Sequence, residues 1–330
     1  MLAAHAVAFD ADDPLSGLRV ADRPEPEVPE GWATVRVTAA SLNHHDLWTL
    51  RGKGLRAEQL PMILGTDAVG LDEDGREVIV HAVISSPGWR GDETFDPRRS
   101  LPSEKHQGTL AELVAVPRAN LVPKPPELTF AEAACLPTAW LTAYRMLFGR
   151  GSVLPGQTVL VQGAGGGVAT AAIALGKAAG VRVWATSRSE EKRQAAVELG
   201  ADAAFEPGAR LPERVDAVLE TVGEATWSSS LKSLKPGGTV IIAGATSGQA
   251  PSADLDRVFF LQLAVVGSTM GTRDELERLL SLLVASGIRP PIHASYGLAD
   301  VADGLREMEQ GNVCGKIVVD VSASLPAASG

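Results

Sequence analysis

The stretch VQGAGGGVATAAIALGKAAG, residues 161–180, constrains the fold of this chain more than any other. It follows an apolar strand predicted at 158–164, crosses four glycines within five residues and opens a helix predicted to end near Ala179. Such a loop lets the backbone approach a pyrophosphate, whose charge is met by the amide groups and dipole of the helix start. The stretch therefore predicts a dinucleotide site, with a plain structural turn as the alternative. The residues expected to contact the cofactor are Gly163, Ala164, Gly165, Gly166, Gly167 and Val168.

Strands and helices alternate through the segment that begins near residue 155. Further apolar strands are predicted at 181–187, 216–223, 238–245 and 264–269. Between the first two of these, Ser189 is expected to cap a helix that ends at Gly200. Strands that are apolar on both faces and alternate with helices are typical of a parallel sheet covered on both sides. The segment is therefore predicted to be a doubly wound α/β domain.

The end of the second predicted strand indicates which dinucleotide binds. An NAD site usually has an acidic residue there, on the ribose hydroxyl, whereas this chain has Ser187, Arg188 and Ser189. Hydroxyl and guanidinium groups bind a 2′-phosphate that a carboxylate would repel, and Lys192 follows one helical turn later. NADPH is therefore the predicted cofactor, with a solvated helix start as the alternative for this segment.

The two ends of the chain predict a second, β-rich region. WATVRVTAAS (32–41) and REVIVHAVI (76–84) are predicted strands, punctuated by turn-forming stretches at 24–31 and 72–75. Near the carboxyl end, an amphipathic helix is predicted at 272–287, a shorter helix at about 299–310, and a last strand at 315–321. This order suggests that the chain returns to complete its first domain.

Length and charge restrict the class of partner. The chain has 330 residues, enough for two domains, and its net charge of −10 argues against nucleic acid or an anionic membrane as a partner. Neither a signal peptide nor a membrane span is predicted. The two cysteines, Cys135 and Cys314, are far apart, which favours a reduced, cytoplasmic setting. A small-molecule substrate is the expected partner.

A second cluster of candidate functional residues is SLNHHDLW, residues 41–48, which contains Asn43, His44, His45 and Asp46. If this segment were an extended strand, the adjacent histidines would point to opposite sides and would not chelate one metal ion. The alternative is a metal site formed by His45, Asp67 and His81. We expect no metal site.

Six segments resemble the medium-chain dehydrogenase/reductase superfamily, and in particular its zinc-free, quinone-oxidoreductase-like members. They are NHHD (43–46), GTLAELVAVP (108–117), LTAYRML (141–147), the glycine loop, TVGEATWSSSLKSLKPGG (221–238) and GSTMGTRDEL (267–276). The resemblance implies a GroES-like, β-rich catalytic domain formed by residues 1–121 and 271–330. It also implies a Rossmann nucleotide-binding domain of residues 122–270, a cleft between the domains, and homodimers formed through the nucleotide-binding domains.

The same resemblance bears on zinc. Zinc alcohol dehydrogenases of this superfamily have a cysteine at the start of the segment that corresponds to Asn43–Asp46. They have a His-Glu pair where this chain has Thr66 and Asp67, and a second cysteine where it has Thr138. The four closely spaced cysteines of their structural zinc lobe have no counterpart between Val80 and Gly108. Because zinc favours cysteine and histidine ligands, no zinc is expected here.

The resemblance also assigns site roles. It implies that Asn43 lies beside the nicotinamide and hydrogen-bonds a substrate carbonyl, and that His44 lies against the pyrophosphate. His45 occupies the position of a proton relay and is the expected proton donor, while Asp46 is expected to orient its neighbours. Further cofactor contacts are expected at Thr142, Val222, Gly223, Gly244, Ala245, Thr246, Ser268, Thr269 and Met270.

The function predicted on this basis is an NADPH-dependent oxidoreductase that transfers hydride to a quinone or an α,β-unsaturated ketone. Without zinc, a conjugated acceptor is favoured because hydrogen-bond donors can stabilise the enolate or quinol oxygen. An enoyl-thioester reductase is the alternative, although such relatives have a tyrosine shortly after the asparagine, and Tyr144 and Tyr296 are the only tyrosines here. Two further alternatives are a non-catalytic NADPH-binding protein and a zinc alcohol dehydrogenase.

Overall fold

The computed structural model describes residues 1–322 and separates into two compact units. The first unit contains residues 1–138, 271–285 and the segment from 292 onward, and the second contains residues 139–270 and 286–291. The chain thus leaves the first unit after Thr138, later than the domain boundary at 121 suggested by the resemblance.

The strands and helices are numbered here in chain order. The strands are β1 (Leu2–Ala6), β2 (Leu18–Asp22), β3 (Trp32–Ser41), β4 (Met62–Ile63), β5 (Asp67–Leu71), β6 (Glu77–Val80), β7 (Leu113–Pro117), β8 (Leu121–Pro123), β9 (Thr158–Gln162), β10 (Arg182–Thr186), β11 (Ala203–Phe205), β12 (Val215–Glu220), β13 (Leu234–Ile242), β14 (Ala264–Gly267), β15 (Ile292–Gly297) and β16 (Lys316–Asp320). The α-helices are α1 (His44–Leu50), α2 (Phe130–Ala134), α3 (Leu141–Tyr144), α4 (Gly167–Ala178), α5 (Glu190–Leu199), α6 (Glu224–Ser233), α7 (Leu255–Phe260), α8 (Arg273–Ser286) and α9 (Val301–Gln310). None of the helices in the described part of the chain has the length and apolarity needed to span a membrane.

The first unit is built on a mainly antiparallel sheet. Its strand order is β15-β16-β3-β5-β6-β8, and β7 pairs with the other end of β3, while β2, β1 and β4 form a smaller sheet. The last strand, β16, pairs with β3 so that Val319 faces Ala40, which confirms that the chain returns to its first domain. Alternating apolar residues cause β3 to bury one face, with Val35 and Val37 fully buried around an exposed Arg36.

The strand predicted at 76–84 is shorter in the structure. β6 ends at Val80, and one further bond, from His81 N–H to the carbonyl of Asn120, follows the pairing with β8. Ile84 forms an isolated bridge with Ser100 instead of extending the strand. An apolar run of this length does not by itself show where a strand leaves its sheet.

The second unit contains the predicted doubly wound sheet. Six parallel strands follow the order β11-β10-β9-β12-β13-β14, the 3-2-1-4-5-6 arrangement of dinucleotide-binding Rossmann domains. Five of these strands were predicted from sequence. The missed strand, β11, has only three residues and pairs with β10. The helix after β10 has the predicted cap, because Ser189 Oγ accepts a hydrogen bond from Lys192 N–H at 3.2 Å, and Gly200 follows its end with φ of +121°.

Candidate active site

The glycine loop joins β9 to α4. Gly163 has φ of +80°, and Ala164 N–H donates to the carbonyl of Thr186 on β10 at 2.8 Å, so the loop turns sharply toward the second strand. A Cβ on Gly166 would meet nothing within 4 Å, so the backbone before α4 is open on that side. Backbone N–H groups at a helix start have no partner within the helix and can bind an anion. The structure thus brings the six predicted loop residues to one open helix start.

The end of β10 lies beside this loop. A Cβ on Gly165 would lie 2.6 Å from Cδ of Lys192, so the lysine side chain covers the loop and would have to move for any larger residue. Ser187 is buried and Arg188 is exposed. Arg193, which was not predicted, donates to the carbonyls of Ser187 at 2.7 Å and Arg188 at 3.2 Å and holds the turn. The segment from Ser187 to Arg193 therefore has hydroxyl, guanidinium and ammonium groups at the end of β10.

A buried carboxylate, Glu220, organises the end of β12 and was also missed. It accepts hydrogen bonds from the N–H groups of Val222 at 2.8 Å and Gly223 at 3.0 Å, and from Ser230 Oγ at 2.6 Å. Gly223 has φ of +93°, and a Cβ there would lie 2.4 Å from the carbonyl oxygen of Gly248. A fully hydrogen-bonded buried carboxylate makes a rigid support. A glutamate inside the apolar run DAVLETVG was the available signal for this residue.

The other residues predicted to bind cofactor follow the ends of parallel strands in the second unit, except for Thr142. Three of them follow β13, three follow β14, and Thr142 is buried in α3, which packs against α4. The carboxyl ends of parallel strands share one edge of the sheet, where ligands bind in this architecture. The residues are Gly244, Ala245, Thr246, Ser268, Thr269 and Met270.

The segment SLNHHDLW is the end of β3 and most of α1, so the assumption of an extended strand at the histidines is wrong. Asp46 shows why the helix begins here, because it accepts hydrogen bonds from Asn43 N–H and from Gly65 N–H, each at 2.9 Å. The signal was an asparagine followed three residues later by an acid, which resembles a capping box. Successive side chains on a helix diverge by about 100°, so His44 and His45 still point in different directions. Burial raises the pKa of Asp46, which has no exposed surface and orients its neighbours.

Asn43 is held by a buried lysine that the sequence did not indicate as a site residue. Lys316 Nζ donates to Asn43 Oδ1 at 2.6 Å and to the carbonyl of Leu42 at 2.7 Å. Asn43 Nδ2 in turn donates to Asp67 Oδ2 at 2.8 Å and to Thr66 Oγ1 at 3.2 Å. The amide therefore has its hydrogen bonds within the protein, and a bond to a substrate carbonyl would require one of them to break. A lone lysine in the apolar strand GKIVVDV was the available signal.

The side chains at the positions of the zinc ligands in zinc alcohol dehydrogenases do not fit zinc. Asn43, Thr66 and Thr138 are neutral, weak ligands, and the ammonium of Lys316 lies 3.5 Å from Asp67 Oδ2, where it would repel a cation. Cys135 is no substitute, because burial raises the pKa of its thiol to about 12 and the thiolate is the metal-binding form. The relocated set of His45, Asp67 and His81 does not form either, since the described residues contain no group of three histidine, cysteine or acidic side chains arranged to hold a metal.

His45 is paired with an acid that sequence reasoning missed. Its Nε2 lies 3.4 Å from Glu104 Oε1, while its Nδ1 is buried with no hydrogen-bond partner within the described residues. Burial raises the pKa of Glu104, but the hydrogen bonds from His45 and from Leu101 N–H outweigh it and lower the pKa below its ordinary value. Glu104 is therefore a carboxylate that orients the imidazole. His44, the first residue of α1, is exposed, and its ring centroid lies 6.3 Å from that of Trp48.

The fold and these features define an oxidoreductase with a Rossmann domain and a GroES-like domain. Residues 29–126 match the family of alcohol dehydrogenase GroES-like domains, and residues 167–285 match the zinc-binding dehydrogenase family. The crystal structure of an NAD-dependent alcohol dehydrogenase is 34% identical and superposes with a TM-score of 0.90, covering 97% of this chain and 100% of that one. The chain belongs to the medium-chain dehydrogenase/reductase superfamily.

Two further relatives act on coenzyme A esters. Acryloyl-coenzyme A reductase of Sulfurisphaera tokodaii is 29% identical over 93% of this chain and 97% of its own. The structure of the 2-octenoyl-CoA carboxylase reductase CinF in complex with NADP and 2-octenoyl-CoA is 26% identical, with a TM-score of 0.89, and the match covers 100% of this chain and 88% of that one. These relatives are not quinone oxidoreductases, so the narrower prediction of a zinc-free, quinone-oxidoreductase-like member stays a prediction.

Proposed function

We propose that this chain is an NADPH-dependent reductase of conjugated carbonyl compounds, with enoyl thioesters as the first substrates to test. This proposal rests on the side chains at the positions that hold zinc in zinc alcohol dehydrogenases. Asn43, Thr66 and Thr138 are neutral there, and Lys316 lies beside them. An isolated alcohol or ketone needs strong polarisation of its oxygen, which a Lewis acid supplies. A conjugated acceptor needs less, because the charge that develops on its enolate oxygen can be held by hydrogen-bond donors. Similarity to reductases of acryloyl-CoA and 2-octenoyl-CoA supports this choice over quinones.

The cofactor proposal rests on the end of β10. Arg188 is proposed to take the place of the carboxylate that selects NAD, with Lys192 one helical turn later, and charge-assisted hydrogen bonds to a 2′-phosphate are stronger than neutral ones. The NADP complex of CinF supports this preference for the chain described here, although another relative is NAD-dependent.

The proton required by the reaction is proposed to come from His45. Bound NADPH supplies the hydride, and reduction of a conjugated carbonyl is completed by protonation of the resulting enolate. A histidine titrates near neutral pH and is suited to this role. The Glu104 carboxylate at Nε2 orients the ring, and Nδ1 has no hydrogen-bond partner within the described residues, so Nδ1 is the proposed proton-transfer atom. His44 is proposed to lie against the pyrophosphate.

The test is NADPH oxidation by purified protein of known metal content, with crotonyl-CoA, a simple enone, a simple quinone and a simple aldehyde compared side by side. We expect turnover of crotonyl-CoA or the enone without stoichiometric zinc. Turnover limited to the aldehyde, and abolished by a zinc chelator, would contradict the proposal and favour an alcohol dehydrogenase. A quinone reduced fastest would favour a quinone oxidoreductase. Tight NADPH binding without any turnover would favour a non-catalytic binding protein.

A further inference from the structure

A chain of hydrogen bonds in the first unit leads from the buried ammonium of Lys316 to the hydroxyl of the half-buried Thr138. Lys316 Nζ donates to Asn43 Oδ1 at 2.6 Å, and Asn43 Nδ2 donates to Thr66 Oγ1 at 3.2 Å. The hydroxyls of Thr66 and Thr138 then lie 2.9 Å apart. The first three residues are buried, whereas Thr138 is half-buried, so the chain reaches the protein surface at one end only.

The buried end determines the direction of this chain. An ammonium has no acceptor, so Asn43 Oδ1 has to accept and Nδ2 has to donate. Because Thr66 Oγ1 receives that bond, its own proton is available for Thr138 Oγ1. Either hydroxyl can donate in this contact, and when Thr66 donates, the proton of Thr138 points away from Thr66. Each member polarises the next, and this effect is stronger in the low dielectric of a buried site.

We propose that the Thr138 hydroxyl donates a hydrogen bond to the carbonyl oxygen of the conjugated acceptor as negative charge develops on that oxygen. Lys316, Asn43 and Thr66 are positioning residues that fix the direction of the donor and strengthen it. The inference rests on the proposed function, because only a substrate with a developing oxyanion uses such a donor. On this proposal, the side chains that replace the zinc ligands act together: Thr138 donates the hydrogen bond to the oxyanion, and Asn43 and Thr66 orient Thr138.

Asp67 keeps the ammonium compensated without blocking the chain. Its Oδ2 accepts from Ser41 Oγ at 2.6 Å and from Asn43 Nδ2 at 2.8 Å, and lies 3.5 Å from Lys316 Nζ. The second Nδ2 hydrogen of Asn43 is shared by Thr66 Oγ1 at 3.2 Å and the more distant carbonyl of Ser41 at 3.4 Å. Lys316 is well bonded, because it also donates to the carbonyl of Leu42 and to Asn43 Oδ1, whereas Asp67 Oδ1 is buried with no hydrogen-bond partner within the described residues.

The test compares Thr138→Val, which keeps the shape and removes the hydroxyl, with Thr138→Ser, which keeps the hydroxyl. Loss of one oxyanion donor lowers kcat between about a hundredfold and a thousandfold. We expect a loss of this size for Thr138→Val with the acceptor that wild-type protein reduces fastest, a smaller change in KM and an unchanged Kd for NADPH. Thr138→Ser should stay within a few fold of wild type. Thr109→Val is the matched control, because Thr109 Oγ1 donates to the carbonyl of Asp67 and lies outside the chain.

A double-mutant cycle separates this role from a structural one. Thr66→Val breaks the chain of hydrogen bonds before it reaches Thr138. When residues act as a unit, the effects of their substitutions are not additive. The double variant Thr66→Val/Thr138→Val should therefore have nearly the kcat of Thr138→Val alone, whereas independent structural effects would multiply.

The outcomes also distinguish the two proposals. If wild type reduces a conjugated acceptor and Thr138→Val keeps kcat within about threefold, this inference is overturned and the proposed function stands. If wild type reduces none, both are overturned. Should Thr138→Val fail to fold in thermal unfolding, the ratio of kcat between Thr138→Ser and Thr138→Ala replaces it, and a ratio near one overturns the inference.

Discussion

At the scale of single residues, His81 illustrates how burial without partners affects stability. Its side chain is 1% exposed, and neither ring nitrogen has a hydrogen-bond partner within the described residues. Burial, and then the positive charge of Arg273, lower the pKa of His81 to about 3. The imidazole is therefore neutral in the folded protein at any pH near neutrality, whereas in the unfolded chain it takes up a proton below about pH 6.5.

The first prediction concerns the pH dependence of the free energy of unfolding. A histidine with a lowered pKa destabilises the fold as the pH falls, since the unfolded state binds a proton that the folded state does not. Between pH 7 and pH 5, His81 should cost about 2 kcal/mol. His81→Leu should remove that cost without losing a hydrogen bond, as measured by urea unfolding at both pH values. His293→Gln controls for loss of a half-exposed histidine, and an unchanged pH dependence in His81→Leu would contradict the prediction.

At the scale of elements, the proposal that the cofactor is NADPH depends on the turn from β10 into α5. Ser189 caps α5, and Arg193 donates to the backbone carbonyls of Ser187 and Arg188, so the protein's own hydrogen bonds hold the turn. The guanidinium of Arg188 is exposed beside this preformed turn. Preorganisation of this kind means that a change of side chain at 188 should alter binding without altering the turn.

The second prediction is that Arg188→Asp inverts the cofactor preference from NADPH to NADH. A hydrogen bond to a charged group contributes about 1.5–3 kcal/mol, so the Kd for NADPH should rise by about tenfold to a hundredfold. Fluorescence titration with both cofactors is the measurement. Arg214→Asp is the control, because it makes the same charge change at the amino end of β12, away from the carboxyl ends of the strands where the cofactor is proposed to bind. It should leave both Kd values nearly unchanged. An unchanged NADPH affinity in Arg188→Asp would rule out the assignment.

Local elements were predictable from sequence, and long-range contacts were not. The glycine loop, the Ser189 cap and the end of α5 at Gly200 depend on residues a few positions apart, and the structure has all three. Lys316 meets Asn43 across 273 positions, and no periodicity or spacing indicates such a pair. Glu104 and His45 are 59 positions apart and were missed for the same reason. The strand assumed at the histidines was wrong because seven residues are too few for their period to distinguish a helix from a strand.

At the scale of the whole molecule, one edge of the second unit exposes apolar surface. β14 is the last strand of the six-stranded sheet, and within residues 1–322 no further strand pairs with its free edge. Val265 on this strand is 49% exposed, and Phe259 and Phe260 on α7 are 59% and 75% exposed. A free strand edge next to an apolar patch favours pairing with another chain. We propose that a second copy of this chain pairs with β14 to form a homodimer, as the resemblance implies.

The third prediction is that the protein is a dimer and that Phe260→Glu weakens it. A twofold axis would bring the introduced carboxylate near its own copy in an apolar interface, and like charges there cost several kcal/mol. Sedimentation velocity at micromolar concentration should show a dimer for wild type and monomer for Phe260→Glu. Leu154→Glu is the control, because Leu154 is another exposed apolar residue of the second unit (62% exposed), and this variant should remain dimeric. A monomeric wild type would contradict the proposal.

The pairing of Lys316 with Asn43 and Asp67 has a consequence for how this protein is made. β3 and β5 leave the ribosome more than two hundred residues before β16 is synthesised, and only β16 carries the ammonium that compensates Asp67. Until then the carboxylate of Asp67 has to remain in contact with water, because burying it unpaired is costly. The amino-terminal unit therefore reaches its final packing only after nearly the whole chain has been translated. A product cut short before residue 316 would lack both a strand of its central sheet and the cation of its site.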